Sequence, residues 1–109
     1  MAWVHLLSCF VGGAFLANAV PHVVSGTMGR PFQSPFATPP GEGLSPPTTN
    51  VLWGFLNLAV AYVLLCRVGR LASDDTAGIL ALAGGALLLA LLVARHFGRF
   101  NGGSRPDDP

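Results

Sequence analysis

Apolar residues form three long runs along the chain, at residues 3–24, 51–71 and 76–94, and polar stretches separate these runs. A helix rises 1.5 Å per residue, so about 20 apolar residues are enough to cross a hydrocarbon layer of roughly 30 Å. The pattern therefore predicts an all-α membrane protein with three transmembrane helices in a single membrane domain, residues 1–109.

The second run is the shortest, because it is apolar only as far as Cys66. Arg67 and Arg70 lengthen it if their aliphatic stems lie along the hydrocarbon and their guanidinium groups reach the membrane surface. Residues 48–50, just before this run, have short polar side chains that suit a helix N-cap. We therefore expect this helix to begin at Val51.

The third run has clear signals at both of its ends. Asp74 and Asp75 precede it, where a helix N-terminus favours negative charge and a capping side chain. Arg95 and His96 follow it, where cations are favourable, and glycines then end the apolar pattern. Residues 95–109 are predicted to form a disordered tail.

Residues 25–50 form a long proline-rich loop between the first two predicted helices, with prolines at positions 31, 35, 39, 40, 46 and 47. Proline removes a backbone donor and biases the preceding residue toward extended geometry, so neither helix nor strand is expected here. Adjacent helices need a connection of only about 2 to 8 residues, and the excess length indicates either an ordered interaction element or disorder. Arg30, Phe32 and Phe36 are the candidate interaction residues of an ordered loop.

Asn18, His22 and Asn57 are the candidate intramembrane polar residues, and polar groups without partners are costly in hydrocarbon. Antiparallel packing of the first two helices brings Asn18 close to Asn57, so we predict a hydrogen bond between these side chains. His22 lies near the membrane surface, where solvation by lipid headgroups is the favoured interpretation and a ligand or proton-relay role is the alternative.

Small residues recur at four-residue spacing in the first and third runs. Gly13 and Ala17 form one such row, and residues 86, 90 and 94 form another beside Gly85. Such rows let helix backbones approach closely in a bilayer. In a chain this rich in alanine and glycine they also arise by composition alone, so both interpretations stay open.

Two further alternatives concern the first run. Residues 17–19, Ala-Asn-Ala, have the form of a signal-peptidase site, so residues 1–19 are either a cleaved signal peptide or, since no basic residue precedes them, part of an uncleaved anchor. Cys9 and Cys66 lie toward the same membrane face in antiparallel helices, where they either pair or act as small hydrophobic residues, the commoner role.

Composition agrees with the membrane prediction, because 51% of the residues are hydrophobic and 10% are charged. Soluble proteins average about a quarter charged, so the lipid bilayer is the expected partner. The net charge of +1 and the scattered arginines give no reason to expect nucleic acid. A chain without lysine and rich in alanine, glycine, leucine and proline is typical of a GC-rich bacterial genome, so the predicted location is a bacterial inner membrane.

Arginine placement predicts the orientation. Arg30, Arg95, Arg99 and Arg105 lie on the side that holds the proline-rich loop and the C-terminal tail, whereas the other side holds two arginines. Positively charged residues near the spans favour the cytoplasmic side. The asymmetry favours a chain with its N-terminus outside and its C-terminus inside.

The proline-rich loop carries Gly29-Arg30-Pro31-Phe32, then Pro35-Phe36 and Pro39-Pro40-Gly41, and Asn50 to Gly54 follow it. This part of the chain resembles a family of small uncharacterised bacterial multi-pass membrane proteins. The resemblance covers about the middle half of the chain. It implies a membrane location and identifies no catalytic residue.

The function predicted from these features is that of a non-enzymatic interaction or accessory subunit, with a membrane protein or a second copy of the chain as partner. A small transporter or a holin-like pore is the alternative, although the acidic residues needed for proton coupling all fall outside the predicted helices. No nucleophile, base and orienting carboxylate are grouped, so we expect no enzyme, and no cofactor or metal site.

Overall fold

The computed structural model describes residues 2–103. Within that range the chain forms three helices long and apolar enough to cross a membrane, and two short antiparallel strands. In chain order the elements are α1 (Ala2–Thr27), β1 (Phe32–Gln33), β2 (Leu44–Ser45), α2 (Pro47–Tyr62), which continues as a π-helix (Val63–Val68), and α3 (Thr76–Gly98).

The first helix is the centre of the bundle, because α1 packs along both α2 and α3. It runs antiparallel to α2 and parallel to α3. One end of the bundle, called here the hairpin end, therefore holds Thr27, Pro47 and Gly98 together with the segment that carries β1 and β2. The opposite end holds Ala2, Val68 and Thr76.

Two glycines let α1 and α3 touch backbone to backbone. A Cβ added at Gly13 would collide with the carbonyl group of Leu82, and a Cβ added at Gly85 would collide with the carbonyl group of Phe10. The two contacts are reciprocal, since each helix supplies one glycine and one carbonyl group. Close contact is thus the explanation for the small residues at these two positions.

The prediction of three helices is correct, but several of their boundaries are not. The second helix begins at Pro47 rather than Val51, because proline suits the first helical position, where no N–H is needed. It ends at Val68, and Arg70 adopts a left-handed conformation with φ 50° after it. The first helix extends three residues past its predicted end at Val24, to Thr27.

Two further expectations are wrong at the hairpin end. A strand pair does form within the proline-containing stretch, because β1 and β2 occupy positions that the prolines leave free. The last helix continues to Gly98, so residues 95–98 are helical and not part of a tail, and a turn follows as far as residue 103. The predicted disorder of residues 104–109 lies outside the described residues.

Little of this molecule is buried. Cys9, Ala61 and Leu65 form the apolar core, with Phe15 and Leu82 packed against it. Many large apolar side chains along the helices are exposed instead. The outer surface of the three helices is therefore apolar, and the side chains buried most completely include polar ones.

Candidate functional site

The buried polar side chains form hydrogen bonds at three depths of the bundle, and the hairpin end holds the largest group. Asn50, in the first turn of α2, is fully buried. Its amide nitrogen donates to the carbonyl oxygens of Phe32, Ser45 and Pro46 at 3.1 to 3.2 Å. Its amide oxygen accepts from Nδ1 of His22 at 2.8 Å. Asn50 thereby joins α1 to both strands.

His22 is also buried, with 2% of its surface exposed. Its ring makes edge-to-face contacts with Phe32, Trp53 and Phe97 at centroid distances of 5.7, 6.3 and 6.1 Å. The prediction that lipid headgroups solvate His22 is therefore wrong. The β-strands and the last turn of α3 cover the position, which the linear sequence could not show.

Residues 28–46, called here the hairpin segment, are held together by hydrogen bonds within the segment and are joined to α3 by another. The hydroxyl groups of Ser34 and Ser45 are hydrogen-bonded to each other, and both residues are buried. Nε2 of His96, on α3, donates to the carbonyl oxygen of Gly41 at 2.7 Å. Nδ1 of the same ring contacts the guanidinium group of Arg99 at 2.9 Å.

The three candidate interaction residues of the hairpin segment do not form one surface. Phe32 points inward, with its ring 4.8 Å from that of Phe97. Phe36 lies on the edge of Trp53 at 5.2 Å and keeps 63% of its surface exposed. Arg30 is exposed. Only Phe36 and Arg30 are therefore free to meet another molecule.

A second polar group lies at middle depth between α1 and α2. Asn18 donates to the amide oxygen of Asn57 at 3.0 Å, which confirms the predicted hydrogen bond. Asn57 in turn donates to the carbonyl oxygen of Trp53 at 2.8 Å. These residues line a cavity of about 360 Å³ together with Phe15 and Leu89. Nε1 of Trp53 is buried and has no hydrogen-bond partner among the described residues.

A third polar group closes the opposite end. The ring of His5 contacts the carbonyl oxygen of Gly69 through Nδ1 and the carboxylate of Asp75 through Nε2. Asp75 is also the N-cap of α3, as predicted, and accepts from the backbone N–H of Gly78 at 2.9 Å. That backbone hydrogen bond, followed by the interaction with His5, lowers the pKa of Asp75.

A separate apolar groove of about 600 Å³ lies between α1 and α3 at the hairpin end. Ala17, Val24, Ala90 and Ala94 line its walls, and Phe32 lines it at the hairpin end. Two smaller cavities, one lined by Arg30 and the other by Arg95, share lining residues with this groove. Ala17, Ala90 and Ala94 of the two small-residue rows thus face this groove, while Gly13 and Gly85 make the helix contact.

Comparison with models of known protein families, with curated proteins and with solved structures gave no match. The predicted resemblance to a family of small membrane proteins therefore stays a prediction. Within residues 2–103, no three His, Cys, Asp or Glu side chains are grouped so that they could hold a metal ion. Cys9 is buried, Cys66 is exposed, and both are free thiols.

Sequence reasoning found the Asn18–Asn57 pair but missed Asn50 and the contact of His5 with Asp75. A signal for Asn50 was available. In an antiparallel helix pair, moving one turn toward the C-terminus of α1, from Asn18 to His22, corresponds to moving one turn from Asn57 toward the N-terminus of α2. That register places residue 53 opposite His22, and Asn50 lies one turn further toward the N-terminus of α2, so it is the nearest polar side chain on that side. The contact of His5 with Asp75 depends on α3 packing parallel to α1, which no local pattern indicates.

Proposed function

We propose that this chain is a multi-pass membrane protein that crosses a bacterial inner membrane three times and acts as a non-enzymatic interaction or accessory subunit. The observation that carries this proposal is the distribution of polar and apolar side chains. Large apolar residues such as Leu52, Leu80 and Leu87 are exposed along the helices, whereas Asn50 and Asn57 are buried and hydrogen-bonded. That arrangement suits hydrocarbon as the surrounding solvent.

The hairpin segment is the proposed interaction surface. Phe36 and Leu44 leave 63% and 60% of their surfaces exposed on a segment held by the Ser34–Ser45 hydrogen bond and by Asn50. A surface fixed before binding loses less conformational entropy when a partner docks. Arg30 adds a guanidinium group that suits a carboxylate on that partner.

The membrane part of the proposal is tested by washing membranes with alkaline carbonate. Three spans hold the protein in the pellet until detergent releases it. Alkaline phosphatase fused to the C-terminus should be inactive, because the arginine asymmetry favours a cytoplasmic C-terminus. Recovery of the protein in the wash would refute the membrane location, and an active fusion would reverse the orientation.

The interaction part is tested by native extraction and identification of copurifying proteins. Phe36→Ser and Leu44→Ser should each remove a specific partner from the copurified set. Leu80→Ser is the matched control, because Leu80 is as exposed as Leu44 but lies on α3, outside the hairpin segment. A partner set unaffected by all three changes would show that the hairpin segment is only a connector.

A small transporter or pore is the second candidate, and the cavity lined by Asn18 and Asn57 favours it. Polar side chains at the middle depth of a membrane helix are typical of a solute path. The unpartnered indole N–H of Trp53 adds a donor beside the two amides. Flux of a small polar solute into liposomes should then depend on the protein and fall when Asn57 is replaced by Leu. No flux above empty liposomes would exclude this candidate.

A further inference from the structure

The groove between α1 and α3 has the dimensions of a site for a narrow, flexible apolar chain. Its walls run from Ala17 to Val24 on α1 and from Ala90 to Gly98 on α3. Eight residues of helix correspond to about 12 Å, less than half of a hydrocarbon layer of roughly 30 Å. The groove therefore extends from one membrane surface toward the middle of the bilayer.

The residues that line this groove at the hairpin end disfavour a partner helix. Phe32 of β1 and Asn101, after α3, line it at the hairpin end, and Asn101 is held there by a hydrogen bond of 3.1 Å to Gln33. A helix about 10 Å wide would have to pass these residues to continue beyond the membrane surface. A lipid acyl chain is much narrower than a helix, so it can pass these residues to join a headgroup at the membrane surface.

Positive charge flanks the groove at the membrane surface. Arg30 lines a cavity that shares Phe32 and Asn101 with the groove, and Arg95 lines another that shares Ala94. Neither arginine forms an ion pair with a carboxylate of residues 2–103. Glu42 is the acidic residue that the described part of the chain places at this end. The local charge is therefore complementary to a phosphate group.

We propose that this groove binds one acyl chain of an anionic phospholipid, with the headgroup beside Arg30 and Arg95. The site rests on the proposed three-span membrane location and adds a specific lipid to it. The guanidinium group forms paired hydrogen bonds with phosphate oxygens, and basic residues at a membrane surface favour anionic lipids. The alanines at positions 17, 90 and 94 leave the space that the acyl chain fills.

The test is native mass spectrometry of the full chain in detergent, titrated with phosphatidylglycerol and with phosphatidylcholine of the same acyl chains. The wild-type protein should bind phosphatidylglycerol more tightly. Arg30→Gln and Arg95→Gln should each weaken that binding about fivefold, and the double variant about 25-fold. Arg67→Gln with Arg70→Gln is the control, because both residues lie at the opposite end. Equal binding of the two lipids, or an equal loss in the control, would overturn the proposal.

The groove itself is tested by filling it. Ala90→Phe should reduce binding of both lipids, whereas Ala77→Phe, at an exposed position near the opposite end, should not. If Ala90→Phe lowers the helical circular dichroism signal, Ala94→Leu replaces it as the smaller change. A dimer that Ala90→Phe dissociates would assign the groove to a second copy and refute the lipid site. Carbonate washing separates the two proposals, because a protein that stays in the pellet but lacks lipid selectivity refutes this site alone.

Discussion

The imidazole of His5 and the carboxylate of Asp75 are hydrogen-bonded across the end of the bundle, joining the first turns of α1 to the N-cap of α3. Both ring nitrogens of His5 face acceptors, since Nδ1 contacts the carbonyl oxygen of Gly69. The contact thus joins two parallel helices through polar side chains rather than through apolar packing.

The lowered pKa of Asp75 predicts acid sensitivity of the folded protein. A carboxyl group whose pKa is lower in the folded state stabilises that state above its unfolded pKa, and the stabilisation is lost as the pH falls through the folded value. Thermal unfolding in detergent should therefore show a smaller loss of melting temperature for Asp75→Asn than for wild type between pH 7 and about pH 3. Asparagine keeps the cap but carries no charge.

Asp74→Asn is the control for that experiment, because Asp74 is exposed and its side chain makes no hydrogen bond to a described residue. Its acid profile should match that of the wild type. The same profile for wild type and Asp75→Asn would contradict the role assigned to the Asp75 carboxylate.

The hydrogen bond between Asn18 and Asn57 predicts a measurable coupling energy. If the helices cross a membrane as proposed, a double-mutant cycle with Asn18→Ala and Asn57→Ala should give about 0.6 kcal/mol, and at most about 1.7 kcal/mol, the range measured for hydrogen bonds between membrane helices. The measurement is unfolding in mixed detergent micelles. If the stability losses of the two single variants simply add up to that of the double variant, the two amides contribute independently. The hydrogen bond would then have no net effect on stability.

The contact of α1 with α3 predicts that alanine substitutions at two neighbouring glycines have different effects on the stability of the bundle. Gly85→Ala should destabilise the bundle by about 1 to 3 kcal/mol, because its Cβ collides with the backbone of Phe10. Gly84→Ala is the matched control, since its Cβ would lie 3.8 Å from the Phe10 ring, an ordinary contact. We expect that change to be neutral or stabilising by up to about 1 kcal/mol. Equal effects at both positions would contradict the close approach.

The hydrogen bonds of Asn50 predict that this residue holds the hairpin segment against the helices. Asn50→Leu leaves three carbonyl oxygens and the donor of His22 without this partner, which should cost about 1 to 3 kcal/mol. Limited proteolysis should then cleave the hairpin segment faster than in wild type. Thr48→Ala, at an exposed position in the same turn of α2, should leave the cleavage rate unchanged. If the cleavage rate of the hairpin segment is unchanged in Asn50→Leu, Asn50 does not hold this segment in place.

The helices were predictable because their signals are local. Long apolar runs, the acidic cap at Asp75 and the antiparallel order of the first two helices follow from composition and chain direction alone. The Asn18–Asn57 hydrogen bond was predictable for the same reason, since consecutive helices in a membrane pack as neighbours and polar groups there need partners. The limits of α2 were less predictable, because proline both breaks helices and begins them.

The sequence by itself determined that this chain has three long apolar helices and that Asn18 and Asn57 lie within them, because periodicity and apolar length act within one segment. Only the tertiary structure decided that His22 is buried, that Phe32 points inward and Phe36 outward, and that His5 meets Asp75. Each of these depends on residues distant along the chain packing at one end of the bundle. Burial is a property of the whole assembly of elements, so a linear pattern does not contain it.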